Sequence, residues 1–321
     1  MNYNLYNQDC IKGCKKHIKD NSVDLIITDP PYGIQGDTLH KHYNRDENNV
    51  IEGYVEIPLE KYADFSKKWI QQAERILKPG GTIYIISGYT NLYHILDALR
   101  STSLKEVNHI IWKYNFGVHT KNKFVSSHYH ILYWVKPGGK PTFNTYVRFG
   151  PGEKDNRDGS LNYQDREDVW VINREYKPGK TKNKNELPTD LLIKMMQYSS
   201  NENDLVCDLF LGGFSTAHVA VGLNRNVAGF EISENIYNHG LQIIKQVKPG
   251  YLLNNIRKPT VNIPSNQGKS WSEEDLSYLY ERYNELYQET GSKEKTINIL
   301  CEELGRGKFS VYNALKNFDN K

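Results

Sequence analysis

Short apolar runs rich in β-branched residues alternate along the chain with segments of helical periodicity. The runs predict strands at 23–29, 81–87, 109–114, 130–136, 204–210 and 226–232. The spacing between them predicts helices over 59–78, where Pro-Gly-Gly follows, and over 189–200 and 215–224. Such alternation is typical of βαβ units, so we predict an α/β fold with a doubly wound, mostly parallel sheet.

Two parts of the chain break this alternation. Residues 137–187 mix Gly, Pro, Asn and charges with aromatics and contain a short strand pattern, Asp-Val-Trp-Val-Ile-Asn. Structureless loops of this length are uncommon unless they are functional, so we interpret the stretch as an inserted recognition region. Residues 249–268 contain three prolines and predict a linker. Residues 269–321 predict a small all-α module of three helices, the last two joined by Gly-Arg-Gly as in a helix-turn-helix.

Composition narrows the class of protein without naming a function. Hydrophobic residues make up 38% and charged residues 25%, which predicts a sizeable core. The 41 basic and 38 acidic residues give a net charge of +3, too mild to indicate nucleic acid by itself. The four cysteines form no zinc-like cluster, and no apolar run approaches the ~20 residues of a membrane span. We therefore expect a cytoplasmic protein with reduced thiols, no metal site and no membrane segment.

The first chemistry-bearing stretch is Asp29-Pro30-Pro31-Tyr32, directly after the apolar run of the first predicted strand. Proline fixes φ and has no N–H, so the two prolines make a rigid platform for the Asp29 carboxylate, the Pro30 carbonyl and the Tyr32 ring. Ligands of an open parallel sheet bind outside the carboxyl ends of its strands, which is where this platform is predicted to lie.

A second loop, 208–216, also follows a predicted strand and has adjacent glycines, Gly212 and Gly213, before a helix. Backbone without a Cβ can approach a ligand closely, but the stretch lacks the pattern of a phosphate-binding P-loop. Glu231 lies at the end of the next strand, where an acidic side chain can accept hydrogen bonds from ribose hydroxyls. Its alternative role is to support the start of the following helix. Together these features predict a nucleoside site.

Seven segments now stand in a characteristic order: NQDC, SVDLIITDPPYG, LKPGG, SSHYHILYWVK, ELPTDLL, DLFLGGFSTA and GFEIS. Over about residues 3–245 this order resembles the DNA amino-methyltransferases of the circularly permuted β group. In that group the catalytic half, which carries Asp-Pro-Pro-Tyr, precedes the half that binds S-adenosylmethionine. The resemblance implies a permuted methyltransferase fold with its catalytic half at 1–136, a target-recognition insertion at 137–187 and a cofactor-binding half at 188–248.

The resemblance also implies roles for individual residues. Asp29 and the Pro30 carbonyl would accept hydrogen bonds from the target amine, Pro31 would keep the platform rigid, and Tyr32 would stack on the extruded base. S-adenosylmethionine would be surrounded by Asp208, Phe210, Gly212, Gly213 and Glu231. Asp9 would approach the adenine ring of the cofactor, although a turn or a helix cap is an equally good interpretation of that residue.

One position departs from the family pattern. The usual Phe-x-Gly-x-Gly is here Phe210-Leu211-Gly212-Gly213-Phe214, with phenylalanine in place of the second glycine. Two readings are open: Gly213 takes over the tight turn, or Phe214 packs against the cofactor.

Contacts with DNA are expected from two places. Lys121 and Lys123 lie in the loop 115–127, which we expect near the DNA backbone unless it is a simple solvated loop. The module at 269–321 resembles Myb/SANT-like domains through WSEED and LGRGKFSVYNALK. That resemblance implies a recognition helix with Arg306, Lys308 and Lys316 towards DNA, with dimerisation or partner docking as the alternative.

The resulting prediction is a site-specific methyltransferase that moves a methyl group from S-adenosylmethionine to adenine N6 of double-stranded DNA by base flipping. Adenine is preferred over cytosine because the tetrapeptide begins with Asp, whereas Ser there goes more often with cytosine in this family. The alternatives are cytosine N4, an RNA substrate, or an inactive DNA-binding regulator marked by Phe214. A cognate restriction endonuclease and a second copy of the chain are further candidate partners.

Overall fold

The computed structural model describes residues 3–33, 57–115, 117, 121–175, 186–260 and 264–318. The chain divides into two compact units, one made of residues 1–147 and 163–257 and the other of 148–162 and 258–321. These boundaries differ from the predicted segments, because residues 148–162 of the expected insertion group with the C-terminal helices. The functional meaning of the predicted segments stays a prediction.

Within its described residues, the first unit is built on one sheet. The strands are β1 Tyr3–Asn7, β2 Val23–Thr28, β3 Leu77–Ser87, β4 Lys105–Lys113, β5 His128–Val135, β6 Val169–Val171, β7 Leu205–Asp208 and β8 Asn226–Glu231. They are ordered β1-β8-β7-β2-β3-β5-β4-β6. Only β5 runs antiparallel to its neighbours among these strands, and every other pair is parallel. The predicted mostly parallel sheet is therefore confirmed.

Helices connect these strands. They are α1 Cys10–His17, α2 Leu59–Ile76, α3 Leu92–Arg100, α4 Leu161–Asp165, α5 Thr189–Ser199, α6 Ser215–Gly222 and α7 Glu234–Ile244. The predicted helices correspond to α2, α5 and α6. One boundary was wrong: α2 ends at Ile76, and the Pro-Gly-Gly expected to follow a helix lies inside β3. Leu77 pairs with Val23 of β2, so tertiary strand pairing overrides the local helical pattern there.

Different helices cover the two faces of the sheet. Leu25 and Ile27 of β2 pack with α5 and α6, whereas Ile26 between them packs with α1, α2 and α3. Side chains alternate between faces along a strand, so one apolar run supplies two cores. The result is a three-layer α/β/α arrangement.

The crevice that matters for function lies between β2 and β7. These strands are neighbours in the sheet, yet the helix after β2 lies on one face and the helix after β7 on the other. Connections that diverge in this way leave an opening outside the carboxyl ends of the two strands. The two predicted loops, at 29–32 and 208–216, both follow these strand ends.

The second unit contains the helices α8 Glu273–Thr290, α9 Lys293–Glu303 and α10 Lys308–Phe318, in the part of the chain where three helices were predicted. Side-chain caps explain two of the starts, since the hydroxyls of Ser272 and Ser292 accept backbone N–H groups of α8 and α9. A glycine with positive φ, Gly291 at 59°, ends α8. Buried apolar residues from all three helices form the core: Leu279, Leu286, Ile297, Leu300, Leu304, Val311, Ala314 and Leu315.

None of the helices in the described ranges combines the length and the apolar character that crossing a membrane requires.

Candidate active site at the carboxyl ends of β2 and β7

The Asp29–Tyr32 platform is held from outside by two helices. Tyr62 of α2 donates its hydroxyl to the Pro31 carbonyl at 2.8 Å, and the Asn91 side chain at the start of α3 donates to the Tyr32 carbonyl at 2.6 Å. Within the platform, the Tyr32 hydroxyl donates to Oδ1 of Asp29 at 2.6 Å. The backbone of the loop is thus fixed by its neighbours, and the Asp29 carboxylate is oriented by Tyr32.

The carboxyl of Asp29 has an unusual ionisation. Burial in the crevice raises its pKa to about 7, and the hydrogen bond from Tyr32 opposes this rise. Two charged groups act on the same carboxyl: Asp208 raises the pKa further, and Arg174 lowers it. Asp29 is therefore poised between its neutral and charged forms near neutral pH.

Asp208 ties the two strand ends together. Its Oδ1 accepts the Thr28 hydroxyl at 2.9 Å and the Phe210 N–H at 3.0 Å, and the residue is buried. Burial raises its pKa to about 6, against the effect of hydrogen bonds that include the Thr216 hydroxyl. The Asp208 side chain thus links the end of β2 to the first residues of the glycine-rich loop after β7.

Glu231, at the end of β8, organises the same loop from the other side. Its Oε2 accepts the Gly212 N–H at 2.9 Å and its Oε1 accepts the Ser233 N–H at 2.8 Å. Burial raises its pKa, and these backbone donors oppose the rise. Ser233, not Glu231, is the N-cap residue of α7, because its hydroxyl accepts the Ile236 N–H. The Glu231 carboxylate supports the turn into this helix and lines the cavity described below.

The chain turns tightly at Gly212 and Gly213, because the Phe214 N–H donates to the Leu211 carbonyl at 2.8 Å. Gly213 is thus part of the turn, and Phe214 does not line the crevice. Positive φ occurs at Gly212 (48°) and at Phe214 itself (64°), and not at Gly213. The Phe214 ring is fully buried away from the crevice, against α7. A Cβ on Gly240 would lie 2.2 Å from this ring, and the ring of Tyr237 meets it edge-on at 5.9 Å. Phe214 therefore anchors the start of α6 in the core.

Asp9 has the cap role that sequence reasoning left open. Its Oδ1 accepts the Lys12 N–H at 3.0 Å as the N-cap of α1. The same residue also lines the crevice, so the cap does not remove it from the candidate site.

All ten residues predicted for catalysis and cofactor binding line one cavity. They are Asp9, Asp29, Pro30, Pro31, Tyr32, Asp208, Phe210, Gly212, Gly213 and Glu231. An apolar wall from α2 completes it, where the Phe210 ring meets Phe65 at 5.9 Å and Trp69 at 5.4 Å. Sequence reasoning missed several lining residues, among them Phe65, Leu187, Ile232 and Ile236, because apolar residues in helices and loops carry no motif. The structure therefore joins two loops 180 residues apart into one site.

An aromatic group beside the platform was also missed. The Tyr129 ring of β5 lies 5.7 Å from the Tyr32 ring, 5.5 Å from Trp112 and 5.6 Å from Tyr114. The Arg174 guanidinium lies over these rings, at 4.8 Å from Tyr114 and 5.2 Å from Tyr129. The sequence did carry one signal for Tyr129: it stands between His128 and His130 in a strand, so its side chain points to the opposite face of the sheet from theirs.

The residues predicted to contact DNA fall into three situations. Lys121 and Lys123 are exposed in the loop between β4 and β5, and Lys308 is exposed at the start of α10, 3.7 Å from Glu294. Lys316 lies on the exposed side of α10. Arg306 differs, because it is only 3% exposed.

The surroundings of Arg306 argue against a DNA contact. Its guanidinium donates to the Lys269 and Ser270 carbonyls at 2.8 and 2.9 Å and to the Asp275 carboxylate at 2.7 Å. It also lies 4.1 Å from the Trp271 ring. These contacts make Arg306 a structural residue that ties the start of α8 to the α9–α10 turn.

Solved structures share this fold. M1.HpyAVI, solved in complex with SAM, superposes with a TM-score of 0.51 at 20% identity, over 75% of this chain and 98% of that one. The cytosine-N4-specific PvuII DNA methyltransferase superposes with a TM-score of 0.57 at 14% identity, over 81% of this chain and 94% of that one. At such identities the likeness shows a common methyltransferase fold.

Relatives at the sequence level are closer. The Type II methyltransferase M.HpaI of Haemophilus parainfluenzae is 31% identical over 241 residues, 73% of this chain and 71% of that protein. M.BamHI of Bacillus amyloliquefaciens, also a Type II methyltransferase, is 33% identical over 246 residues, 71% of this chain and 54% of its own length. The family model described as DNA methylase matches residues 23–245. The chain therefore belongs to the N6/N4 DNA methylase family.

Proposed function

We propose that this DNA methyltransferase uses S-adenosylmethionine to methylate adenine N6 in a specific sequence of double-stranded DNA. The observation that carries the proposal is the single cavity in which Asp29 and Pro30 adjoin the loop at 208–213 and Glu231. An acceptor platform for an amine and a nucleoside-binding loop are the two parts that such a reaction needs.

The residues of the cavity fit the proposed cofactor. Glu231 presents a carboxylate fixed by two backbone N–H groups, which is a suitable acceptor for ribose hydroxyls. The cavity is lined by Phe210, Ile232 and Ile236, apolar surface that suits an adenine ring. When bound, S-adenosylmethionine supplies an electrophilic methyl group on a sulfonium.

Asp29 and Pro30 would act on the amine. The lone pair of an exocyclic amine is conjugated with the base ring, which makes the nitrogen a poor nucleophile. Two acceptors that bind both N–H groups favour the pyramidal nitrogen and stabilise positive charge that develops on it. Because Tyr32 occupies Oδ1 of Asp29, the second carboxylate oxygen is the one assigned to the amine. Tyr32 thus orients the acceptor as well as offering a ring for the extruded base.

The order of the segments supports membership of the permuted β group. β2 and its Asp-Pro-Pro-Tyr loop precede β7 and its glycine-rich loop by about 180 residues, although the two strands are neighbours in the sheet. The preference for adenine rests on Asp29 as the first residue of the tetrapeptide. Cytosine N4 is the second candidate, on the ground that the family includes both reactions.

DNA contacts are proposed for the exposed lysines Lys121, Lys123, Lys308 and Lys316. The helix-turn-helix role of α9 and α10 belongs to the same proposal. A cognate restriction endonuclease is a candidate partner because M.HpaI and M.BamHI carry the name Type II methyltransferase. Self-association stays a prediction.

The test is modification-sensitive sequencing of host DNA after expression in a methylation-free strain. We expect one adenine-methylated motif from the wild type, none from Asp29→Ala, and an unchanged signal from the control Asp64→Ala, which alters an exposed carboxylate on α2. Calorimetry should show that Asp29→Ala still binds S-adenosylmethionine. Methylated cytosine instead of adenine would select the second candidate. Unmodified DNA with the wild type, or full activity in Asp29→Ala, would refute the proposed mechanism.

A further inference from the structure

Arg174 occupies a defined place three residues beyond β6. Its guanidinium lies over the rings of Tyr114 and Tyr129, at 4.8 and 5.2 Å, and 6.0 Å from Trp112. A cation over aromatic faces is attracted by their quadrupoles, so these rings hold the side chain in position. The Tyr129 ring in turn lies 5.7 Å from Tyr32, so the group adjoins the Asp-Pro-Pro-Tyr platform.

One donor of this guanidinium is unused. The Nε–H of Arg174 is buried and has no hydrogen-bond acceptor among the described residues. Buried donors in folded proteins are almost always paired, and an exception calls for an explanation such as a ligand. The aromatic faces satisfy the charge of the guanidinium but do not accept an in-plane hydrogen bond from Nε.

The charge of Arg174 also reaches the catalytic platform. Its charge lowers the pKa of Asp29, whereas burial and the charge of Asp208, both larger effects, raise that pKa. Arg174 therefore lies within electrostatic range of the Asp29 carboxyl. A base whose amine lies at Asp29 presents a ring-nitrogen acceptor beside that amine, N1 or N7 in adenine and N3 in cytosine.

We propose that Arg174 is a positioning residue for the target base, with its Nε–H donating to the ring nitrogen next to the exocyclic amine. Tyr129 and Tyr114 hold the guanidinium next to the platform. The inference rests on the proposed function, because it assumes that an extruded base enters beside Asp29. It adds a hydrogen bond that orients the ring, whereas Asp29 and Pro30 bind the amine.

The test combines a protein change with a single-atom change in the DNA. The substrates are duplexes that carry the methylated sequence found by sequencing, with adenine, 1-deazaadenine or 7-deazaadenine at the target position, or 3-deazacytosine if cytosine is the target. The variants are Arg174→Met and Arg174→Lys. Lys113→Met is the control, because it removes one exposed positive charge from the end of the adjacent strand. The readout is kcat/KM for methyl transfer.

We expect wild type to lose about 10- to 100-fold on one of the deaza bases, the range for a hydrogen bond from a charged donor. At pH 9.5, where Asp29 is ionised with or without Arg174, Arg174→Met should lose a similar factor on the natural base and nothing more on that deaza base, since the two changes remove the same bond. Arg174→Lys should not restore activity, because its ammonium lacks the planar Nε donor. Lys113→Met should match wild type on all substrates.

The outcomes separate the two proposals. If wild type is inactive on the natural duplex, the proposed function fails before Arg174 is tested. If wild type is active but the losses from Arg174→Met and from every deaza base multiply, the side chain has a role in packing or general charge and the inference is refuted. A second readout is the pH profile: removal of the Arg174 charge raises the pKa of Asp29, so the acid limb of kcat/KM should move to higher pH in Arg174→Met but not in Lys113→Met.

Discussion

The hydrogen bond between Tyr32 and Asp29 leads to a sharp prediction about pH. In the proposed mechanism Asp29 accepts hydrogen bonds from the amine in its charged form, and its pKa of about 7 makes that form scarce in mild acid. The Tyr32 hydroxyl stabilises the carboxylate from 2.6 Å. Tyr32→Phe keeps the ring that offers stacking and removes this donor, so the pKa of Asp29 should rise further.

The size of the effect follows from the bond that is lost. A hydrogen bond to a charged group contributes about 1.5 kcal/mol at the lower end of its range, which suits a carboxylate that is only partly buried. At 1.36 kcal/mol for a tenfold change, the pKa of Asp29 moves from about 7 to roughly 8. The charged fraction at pH 6 then falls from about one tenth to about one hundredth. Near pH 9.5 the Asp29 carboxyl is almost fully ionised in both wild type and Tyr32→Phe, so the two proteins should be equally active.

The assay is kcat/KM for transfer of a labelled methyl group between pH 5.5 and 9.5. Tyr62→Phe is the matched control, because it removes a hydroxyl that donates to the Pro31 carbonyl and not to Asp29. Its loss, whatever the size, should be the same at every pH. A Tyr32→Phe defect that is constant across pH would refute the reasoning, as would a wild-type profile that stays flat between pH 6 and 8.

Three further predictions concern the stability of the full chain, measured by unfolding, and the last of them also concerns DNA binding. Folding raises the pKa of Asp29, so the unfolded chain releases that proton first and stability falls as pH rises from about 4 to about 7. Asp29→Asn should therefore be more stable than wild type by about 1–3 kcal/mol at pH 8 and equal to it near pH 4. Equal stability of the two proteins at pH 8 would contradict this prediction. Phe214→Ala should lower the free energy of unfolding by about 3–5 kcal/mol, because the buried ring is lost. Phe214→Gly should lower it by about 1 kcal/mol less, because glycine relieves the positive φ. If urea unfolding shows Phe214→Gly to be the less stable variant, the backbone at this position is not strained. Arg306→Met should lower the stability of the C-terminal helices by roughly 2–3 kcal/mol, because it leaves Asp275 without its ion-pair partner. Lys316→Met should leave the melting temperature unchanged and weaken DNA binding. An unchanged melting temperature in Arg306→Met would show instead that Arg306 has a surface role.

Much of the molecule was determined by local sequence. The period of the apolar runs predicted the central strands and the helices α2, α5 and α6, because alternation at two or near 3.6 residues reflects which face is buried. The two loops that form the site were also predictable, since each follows a predicted strand and their motifs stand in the order of the family pattern. The edge strand β1 escaped notice because it is short and largely polar on its exposed side.

The rest was decided by residues that are distant in the chain. Phe214 looked like a change in a cofactor loop, but its ring finds space beside Gly240, and only the packing of α7 creates that space. Arg306 looked like a DNA-binding arginine, but Asp275 and Trp271 bury it. Arg174 carried no motif, and its position depends on β4, β5 and β6 meeting in one sheet. Sequence by itself determined most of the central strands, the helices α2, α5 and α6 and the rigid turns, because those depend largely on neighbours a few residues away. Only the tertiary structure decided which side chains are buried, paired or available for chemistry, because burial and pairing depend on contacts between segments about 30 to 200 residues apart.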